Sequence, residues 1–306
     1  MNGLPEGRLQ GVVAGEGIRG TIFVEDAAVL AQSAFPGDQY VLRVQAPACA
    51  AAAAPGMFAH IRCDPAVPMR RPLSIMRASP TAGWIEFLYK IVGEGLRHLG
   101  SRRPRDTLSV MGPIGRPFER HRERPRALLI GGGVGIPPMI FLAERLAQEA
   151  RGGWRPLVLM GSEIPFPFRA QPSRIPVPGV PDGVCAAMPL LESWRVPSRL
   201  ASFSDFAGTH AGYVTDLAAR WLESLPDAAR AEVEVFACGP SPMLAATAAL
   251  ARRFELPCQV ALEEFMACAV GGCAGCTVQV STADGVAMKR VCVDGPVFDA
   301  CAVFGR

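Results

Sequence analysis

Four cysteines stand close together near the end of the chain: Cys268, Cys273, Cys276 and Cys292, separated by four, two and fifteen residues. Between the first three lie mostly small residues, Ala269, Val270, Gly271, Gly272, Ala274 and Gly275. Small residues let a loop wrap a cluster closely and aim several amides at its sulfurs, which tunes its potential. The spacing of the first three cysteines matches the plant-type 2Fe–2S loop, and the CxxCxxC run of bacterial 4Fe–4S sites is absent. A structural zinc held by four thiolates is the alternative. Cys301 lies nearby but outside the set and reads as a bystander.

Three further motifs could hold nucleotides. Gly131-Gly132-Gly133-Val134-Gly135-Ile136-Pro137-Pro138 falls between an apolar run and a helical stretch. Glycines let backbone approach a pyrophosphate, and a helix N-terminus offers free amides to it. The motif departs from the Rossmann fingerprint, because Pro138 falls where the third glycine belongs. Cys238-Gly239-Pro240-Ser241-Pro242-Met243 closes a strand and opens a helix. In an open parallel sheet both turns lie along the carboxyl edge, where ligands bind. A small buried core residue is the bland reading of Cys238. In Arg71-Pro72-Leu73-Ser74, the arginine can clamp a phosphate and the serine hydroxyl can hydrogen-bond near a redox ring. Taken alone, that tetrapeptide is also compatible with an ordinary edge strand. Glu163 follows a short strand, where a carboxylate favours ribose hydroxyls and repels a 2′-phosphate, and so points to NADH rather than NADPH.

The elements that must position these motifs change type along the chain. Tyr40 to Gln45, Met57 to Cys63, Trp84 to Val92 and Thr107 to Met111 read as strands, without a long amphipathic helix. A small antiparallel barrel closes such a set most simply. After Pro125 strands alternate with helices. Strands are expected at Ala127 to Ile130, Leu157 to Met160 and Val233 to Ala237. Helices are expected from Pro138 to Ala150, from a Thr215 cap through Leu225, and from a Ser241 cap to about Phe254. This alternation implies a parallel sheet covered on both faces. Glu163 to Arg199 is proline-rich and reads as a long loop with one strand near Val184 to Met188. From Cys258 onward the chain is glycine- and cysteine-rich, so a cluster is expected to organise it.

The 306 residues suit two or three compact units, and half are hydrophobic. A net charge of +3 with scattered basic residues argues against nucleic acid or an anionic membrane as partner. The most apolar long stretch, Ala127 to Ala143, is broken by glycines and prolines and does not read as a membrane span. Residues 1–10 show no signal sequence. The chain therefore reads as cytoplasmic, where clustered cysteines point to a metal rather than disulfides.

The four motifs, in this order, resemble the ferredoxin-reductase-type flavoproteins and, more narrowly, the electron-transfer subunits of dihydroorotate dehydrogenase B. The similarity extends to Leu88-Tyr89-Lys90 and Gly93-Glu94-Gly95-Leu96, to Glu263 through Cys276, and to the tail Val291-Cys292-Val293-Asp294-Gly295-Pro296-Val297-Phe298. The resemblance implies an FAD-binding antiparallel β-barrel domain at 1–120, an NAD-binding parallel-sheet α/β domain at 121–256 and a small 2Fe–2S domain at 257–306. Arg71, Pro72, Leu73, Ser74, Leu88, Tyr89, Lys90, Gly95 and Leu96 would hold FAD. Leu96 stands where the family usually has a threonine hydroxyl. Gly131, Gly132, Gly133, Gly135, Pro137, Glu163, Cys238, Gly239, Pro240 and Met243 would frame the nicotinamide nucleotide. Ser74 and Cys238 would be the catalytic pair, and the four cysteines the cluster ligands. The implied activity passes electrons from NADH through FAD and the cluster to the FMN of a separate dihydroorotate dehydrogenase subunit in pyrimidine biosynthesis, within a heterotetramer. A related reductase subunit serving a hydrogenase, sulfide dehydrogenase or ferredoxin, a self-contained diaphorase, and a zinc-bearing binding module are the competing readings.

Overall fold

The computed structural model describes residues 21–149 and 153–305. The signal-sequence reading of residues 1–10 lies outside them, as does Ala150 at the expected end of a helix.

Six strands close the N-terminal barrel in the order β1-β2-β5-β4-β3-β6. They are β1 (Phe23–Phe35), β2 (Gln39–Gln45), β3 (Phe58–Arg62), β4 (Arg71–Ser79), β5 (Trp84–Lys90) and β6 (Thr107–Ile114). Two short helices, α1 (Pro47–Ala52) and α2 (Glu94–Gly100), plug its ends. Strand β1 was not anticipated. Its sequence FVEDAAVLAQSAF carries four alanines, which are poor strand formers, and buries only Ala27 and Val29. Strand β4 contains the Arg-Pro-Leu-Ser motif, with Pro72 near its start.

The second unit is a seven-stranded sheet in the order β12-β11-β8-β7-β13-β14-β17. Its parallel strands are β7 (Arg126–Gly132), β8 (Leu157–Gly161), β11 (Ser198–Ser202), β12 (His210–Ala211), β13 (Val233–Cys238) and β14 (Cys258–Ala261). Along β7, alternate residues face opposite layers. Leu128 and Ile130 pack with Leu217 and Trp221 of α5 (Val214–Ser224) and Leu244 and Ala248 of α7 (Ser241–Arg253). Ala127 and Leu129 pack with Met139 and Leu142 of α3 (Ile136–Gln148). A one-turn helix α6 (Asp227–Arg230) precedes β13.

Helix α3 starts two residues before the expected Pro138, which proline tolerates in a first turn. Neither Thr215 nor Ser241 is an N-cap. Tyr213 and Pro240 occupy those positions, without side-chain capping bonds. Thr215 lies inside the first turn of α5, and Ser241 is the first residue of α7 with Pro242 beside it.

The proline-rich segment is not one long loop. It forms a two-stranded pair, β9 (Gln171–Pro172) with β10 (Ala186–Ala187), a short helix α4 (Pro189–Ser193), and β11, which joins the main sheet. The segment also ties the two units together. Gln39 Nε2, on the barrel, donates to the Pro165 carbonyl at 2.7 Å. Arg77 of β4 lies beneath the Trp194 ring and donates to Glu144 of α3 at 2.6 Å. Phe141 of α3 is fully buried among barrel residues, a burial worth about 2–3 kcal/mol.

Past α7 the chain first completes this sheet with β14. It then forms an irregular loop to Cys276, a hairpin of β15 (Thr277–Thr282) and β16 (Gly285–Arg290), and a single turn α8 (Val291–Asp294). Strand β17 (Val297–Asp299) returns antiparallel to β14, and α9 (Ala300–Phe304) packs beside α7. Among the described residues, no helix is long and apolar enough to cross a membrane.

Candidate functional site

A cleft of about 1550 Å³ runs between the barrel, the carboxyl edge of the parallel sheet and the segment leading into the cysteine loop. Pockets for one small ligand usually span about 300–1,000 Å³, so this one has room for more than one.

On the barrel side it is lined by Arg71, Pro72, Leu73, Ser74, Leu88, Tyr89, Lys90 and Leu96. The structure separates two adjacent arginines. Arg70 donates to the His60 and Ser109 carbonyls and to the Ser109 hydroxyl, so it is spent on the barrel wall. Arg71, the first residue of β4, lines the cleft beside it. Its Nη1 donates to the Met69 and Arg70 carbonyls, and its guanidinium packs flat against Gly95 of α2, where a side chain would displace it. A fixed cation beside a helix start suits a phosphate. Tyr89 is different. Its ring is buried on Tyr40 and its hydroxyl donates to Gln32 at 3.0 Å, so that side chain serves the barrel. Leu96 is buried and offers only an apolar wall.

The sheet side of the cleft is lined by Gly132, Gly133, Glu163, Cys238, Pro240 and Met243. Register explains the convergence: Gly131 pairs with Cys238 across β7 and β13, and Gly132 with Gly161 across β7 and β8. Gly131, Gly135, Pro137 and Gly239 stand behind this surface. Gly131 backs onto Ile136 and Met139 of α3, and Pro137 is buried in the first turn. Gly135 touches the Cys238 carbonyl so closely that a β-carbon there would overlap it. The two phosphate-type turns therefore interlock, with Gly132 and Gly239 both against Met243.

The third wall carries a residue whose role sequence reasoning missed. Glu263 reaches from the start of the cysteine segment to place Oε1 3.9 Å from Cys238 Sγ. It is open to the cleft yet surrounded by protein, and that burial raises its carboxyl above the usual range, while the Cys238 contact works against the shift. Burial, then the Glu263 charge and the contact itself, push the Cys238 thiol far up, so it is a neutral donor. The sequence offered Glu263 only as the first residue of the segment that resembles the family's cluster loop. No local spacing links positions 25 residues apart.

The cysteines form two pairs. Cys276 Sγ lies 3.3 Å from Cys292 Sγ. Cys268 Sγ accepts from the Cys273 amide at 3.4 Å and is within bonding reach of the Cys273 thiol. A two-iron cluster with four protein thiolates takes two on each iron, and two pairs of cysteines match that number. Amides also point at sulfur: Gly275 to Cys273 at 3.4 Å and Cys292 to Cys276 at 3.5 Å. Burial raises the Cys268 thiol, but the amides of Val270, Cys273 and Gly272 outweigh it and bring it to about 7. Left-handed backbone at Ala269 and Ala274 turns the loop around its sulfurs. Cys301 is exposed, on α9.

The comparisons with known proteins follow the same lines. Residues 263–304 match the iron–sulfur cluster binding domain of dihydroorotate dehydrogenase B. The electron transfer subunit of dihydroorotate dehydrogenase B (NAD(+)) from Desulforamulus reducens is 30% identical over 284 residues, 92% of this chain and 98% of that one. Its counterpart from Bacillus caldolyticus is 34% identical over 256 residues, 80% and 85% of the two chains. Among solved structures, that of an NADH-dependent reduced ferredoxin-NADP oxidoreductase superposes with a TM-score of 0.71 at 26% identity, covering 91% of this chain and 90% of the other. A ferredoxin reductase of carbazole 1,9a-dioxygenase shares the fold, with a TM-score of 0.56 at 22% identity over 76% and 65% of the two chains. With the barrel, the interlocked glycine turns and the paired cysteines all in place, the chain belongs to the family of dihydroorotate dehydrogenase B electron transfer subunits.

Proposed function

We propose that this chain is an NADH-dependent flavoprotein oxidoreductase subunit that delivers electrons to a dihydroorotate dehydrogenase catalytic subunit. The observation that carries the reading is the single cleft in which Arg71 and Ser74, Cys238 and the Glu263 segment face one another, with that segment running directly into Cys268. When bound, FAD supplies the change from hydride to single-electron transfer, and a 2Fe–2S cluster supplies the one-electron step towards the partner's FMN.

Every other contribution comes from the chain's own groups. Arg71 holds the FAD phosphates from the barrel, with Gly95 leaving it room, and Pro72, Leu73, Leu88 and Lys90 form the wall along the ring system. Ser74 offers its hydroxyl to the flavin edge. The Gly132-Gly133 and Cys238-Gly239-Pro240 turns present backbone to the nicotinamide nucleotide, and Glu163 favours its ribose hydroxyls. Cys238 and Glu263 form a neutral-thiol and carboxyl pair facing the cleft, positioned to orient the nicotinamide ring. Cys268 with Cys273, and Cys276 with Cys292, hold the cluster irons. The partner is an FMN-containing catalytic subunit, the assembly a heterotetramer with two of each, and the compartment the cytoplasm.

The likeness to the NADH-dependent reduced ferredoxin-NADP oxidoreductase supports a second reading, a reductase subunit serving a ferredoxin. The greater identity and coverage of the dihydroorotate dehydrogenase B relatives favours the first.

Visible spectra of anaerobically purified protein, with flavin and iron assays, test the cofactors. Flavin and iron–sulfur bands that bleach on adding NADH are expected, and a colourless zinc protein would overturn the reading. Reconstitution with the catalytic subunit tests the partner: NADH-dependent interconversion of orotate and dihydroorotate is expected, and transfer to ferredoxin alone would favour the second reading.

A further inference from the structure

The loop from Cys268 to Cys276 has no helix or strand of its own. Its end at Cys276 is tied by backbone to the segment bearing the fourth cysteine, where the Val291 amide donates to the Cys276 carbonyl at 3.0 Å, and its middle is tied by a long side chain. Arg290, the last residue of β16 and two before Cys292, donates through Nη1 to the Gly271 carbonyl at 2.9 Å. Gly271 lies midway between Cys268 and Cys273. Arg290 is itself held from behind: its amide donates to Asp294 Oδ2 at 2.7 Å, and its Nε lies 3.8 Å from the same oxygen. Gly271, at φ +82°, is so close to Val293 that a β-carbon would come within 2.6 Å of its methyl group. One residue of the loop is thus gripped by both Arg290 and Val293.

We propose that Arg290, braced by Asp294, is a positioning residue for the iron–sulfur centre. It clips the three-cysteine loop to the Cys292 segment, and its charge raises the reduction potential of the cluster. The inference rests on the cluster reading given above. Four thiolates make the centre anionic, and reduction adds one more negative charge, so a fixed cation beside the loop favours the reduced form. Arg290 is partly exposed, which screens the effect without abolishing it. Asp294 carries the opposite charge on the same clip and offsets part of it. A guanidinium, unlike an ammonium, can keep one nitrogen on Gly271 and another towards Asp294 at once.

The test is a potentiometric titration of the full protein, following the reduced-cluster signal by electron paramagnetic resonance, with iron content measured alongside. Arg290→Gln is expected to shift the reduction equilibrium about three- to tenfold towards the oxidised form, where tenfold is about 59 mV for one electron. Asp294→Asn is expected to shift it the other way. Arg290→Lys should keep a midpoint near that of the wild type but lose iron to a chelator several times faster, because the two-point clip is gone. A purely structural clip would move both charge variants in the same direction or neither, and that result would overturn the electrostatic role. If Arg290→Gln fails to retain iron, a midpoint raised in Asp294→Asn and unchanged in Arg290→Lys still supports the electrostatic role, and an unshifted Asp294→Asn overturns it. A wild-type protein without an iron–sulfur signal would remove the cluster reading itself. A wild-type signal with unchanged midpoints and unchanged iron loss in all variants would remove this inference alone.

Discussion

Cys238 Sγ and Glu263 Oε1 meet 3.9 Å apart across the cleft, the first from the end of β13 and the second from the segment that enters the cysteine loop. The thiol is held neutral and the carboxyl is raised, both by burial. Such a pair orients a ring and controls a proton only while both members are present. Cys238→Ser and Glu263→Gln are each expected to slow reduction of bound flavin by NADH by about 10- to 100-fold with FAD content unchanged. The double variant should be little worse than the poorer single one, because the two act as a unit. Stopped-flow flavin bleaching checks this, and fully multiplicative losses would show that they act separately.

The interlock of the two turns predicts the effect of one methyl group. At Gly135 a β-carbon would overlap the Cys238 carbonyl, which is backbone and cannot swing aside. Gly135→Ala should cost about 1–3 kcal/mol of stability by overpacking and raise the NADH concentration needed for half-maximal flavin reduction more than tenfold. FAD, held from the barrel, should stay bound. Denaturant unfolding and NADH titration test both parts, and unimpaired NADH binding would mean that the turns are not the nucleotide seat.

Glu163 sits at the cleft, just past β8. Glu163→Arg should lower kcat/KM for NADH and raise it for NADPH, so that their ratio falls by about 10- to 100-fold, as expected when a charge opposite a phosphate is reversed. An unchanged ratio would show that the 2′ position is read elsewhere.

A fourth expectation concerns pH. His121, in the connection between barrel and sheet, lies 2.9 Å from the buried Glu234 carboxylate, which also accepts from Gln259. The hydrogen bond to Glu234, and then its charge, raise the His121 value above the ordinary one. A folded value above the unfolded one means that the stabilisation is fully present below the unfolded value of about 6.5 and is lost as pH rises through the folded value. The histidine is partly exposed, so the effect is small. Between pH 6 and pH 8.5 the wild type should lose about 1–2 °C more in Tm than His121→Gln. Identical losses in both proteins would exclude this pair as the cause.

Much of this molecule was written in local pattern. The cysteine spacing, the glycine turn and the Cys-Gly-Pro turn are each set within a few residues, because a cluster loop and a phosphate cradle are made of consecutive backbone. The switch from strands to alternating strands and helices was equally plain, and it implied the parallel sheet with both turns on one edge. Strand β1 was hidden, since alanine and polar residues leave no clear period of two, and barrel closure decides its state. The proline-rich segment misled for a similar reason: β11 is held by pairing with β8 rather than by its own propensity. Which of Arg70 and Arg71 is spent on the barrel wall depends on partners distant in the chain, and two adjacent arginines look alike in a sequence. The meeting of Cys238 with Glu263, and of Arg290 with Gly271, joins parts of the chain 25 and 19 residues apart. Contacts of that kind have no local signature: the first needs the third segment to pack against the sheet, and the second needs the β15–β16 hairpin to return Arg290 to the loop.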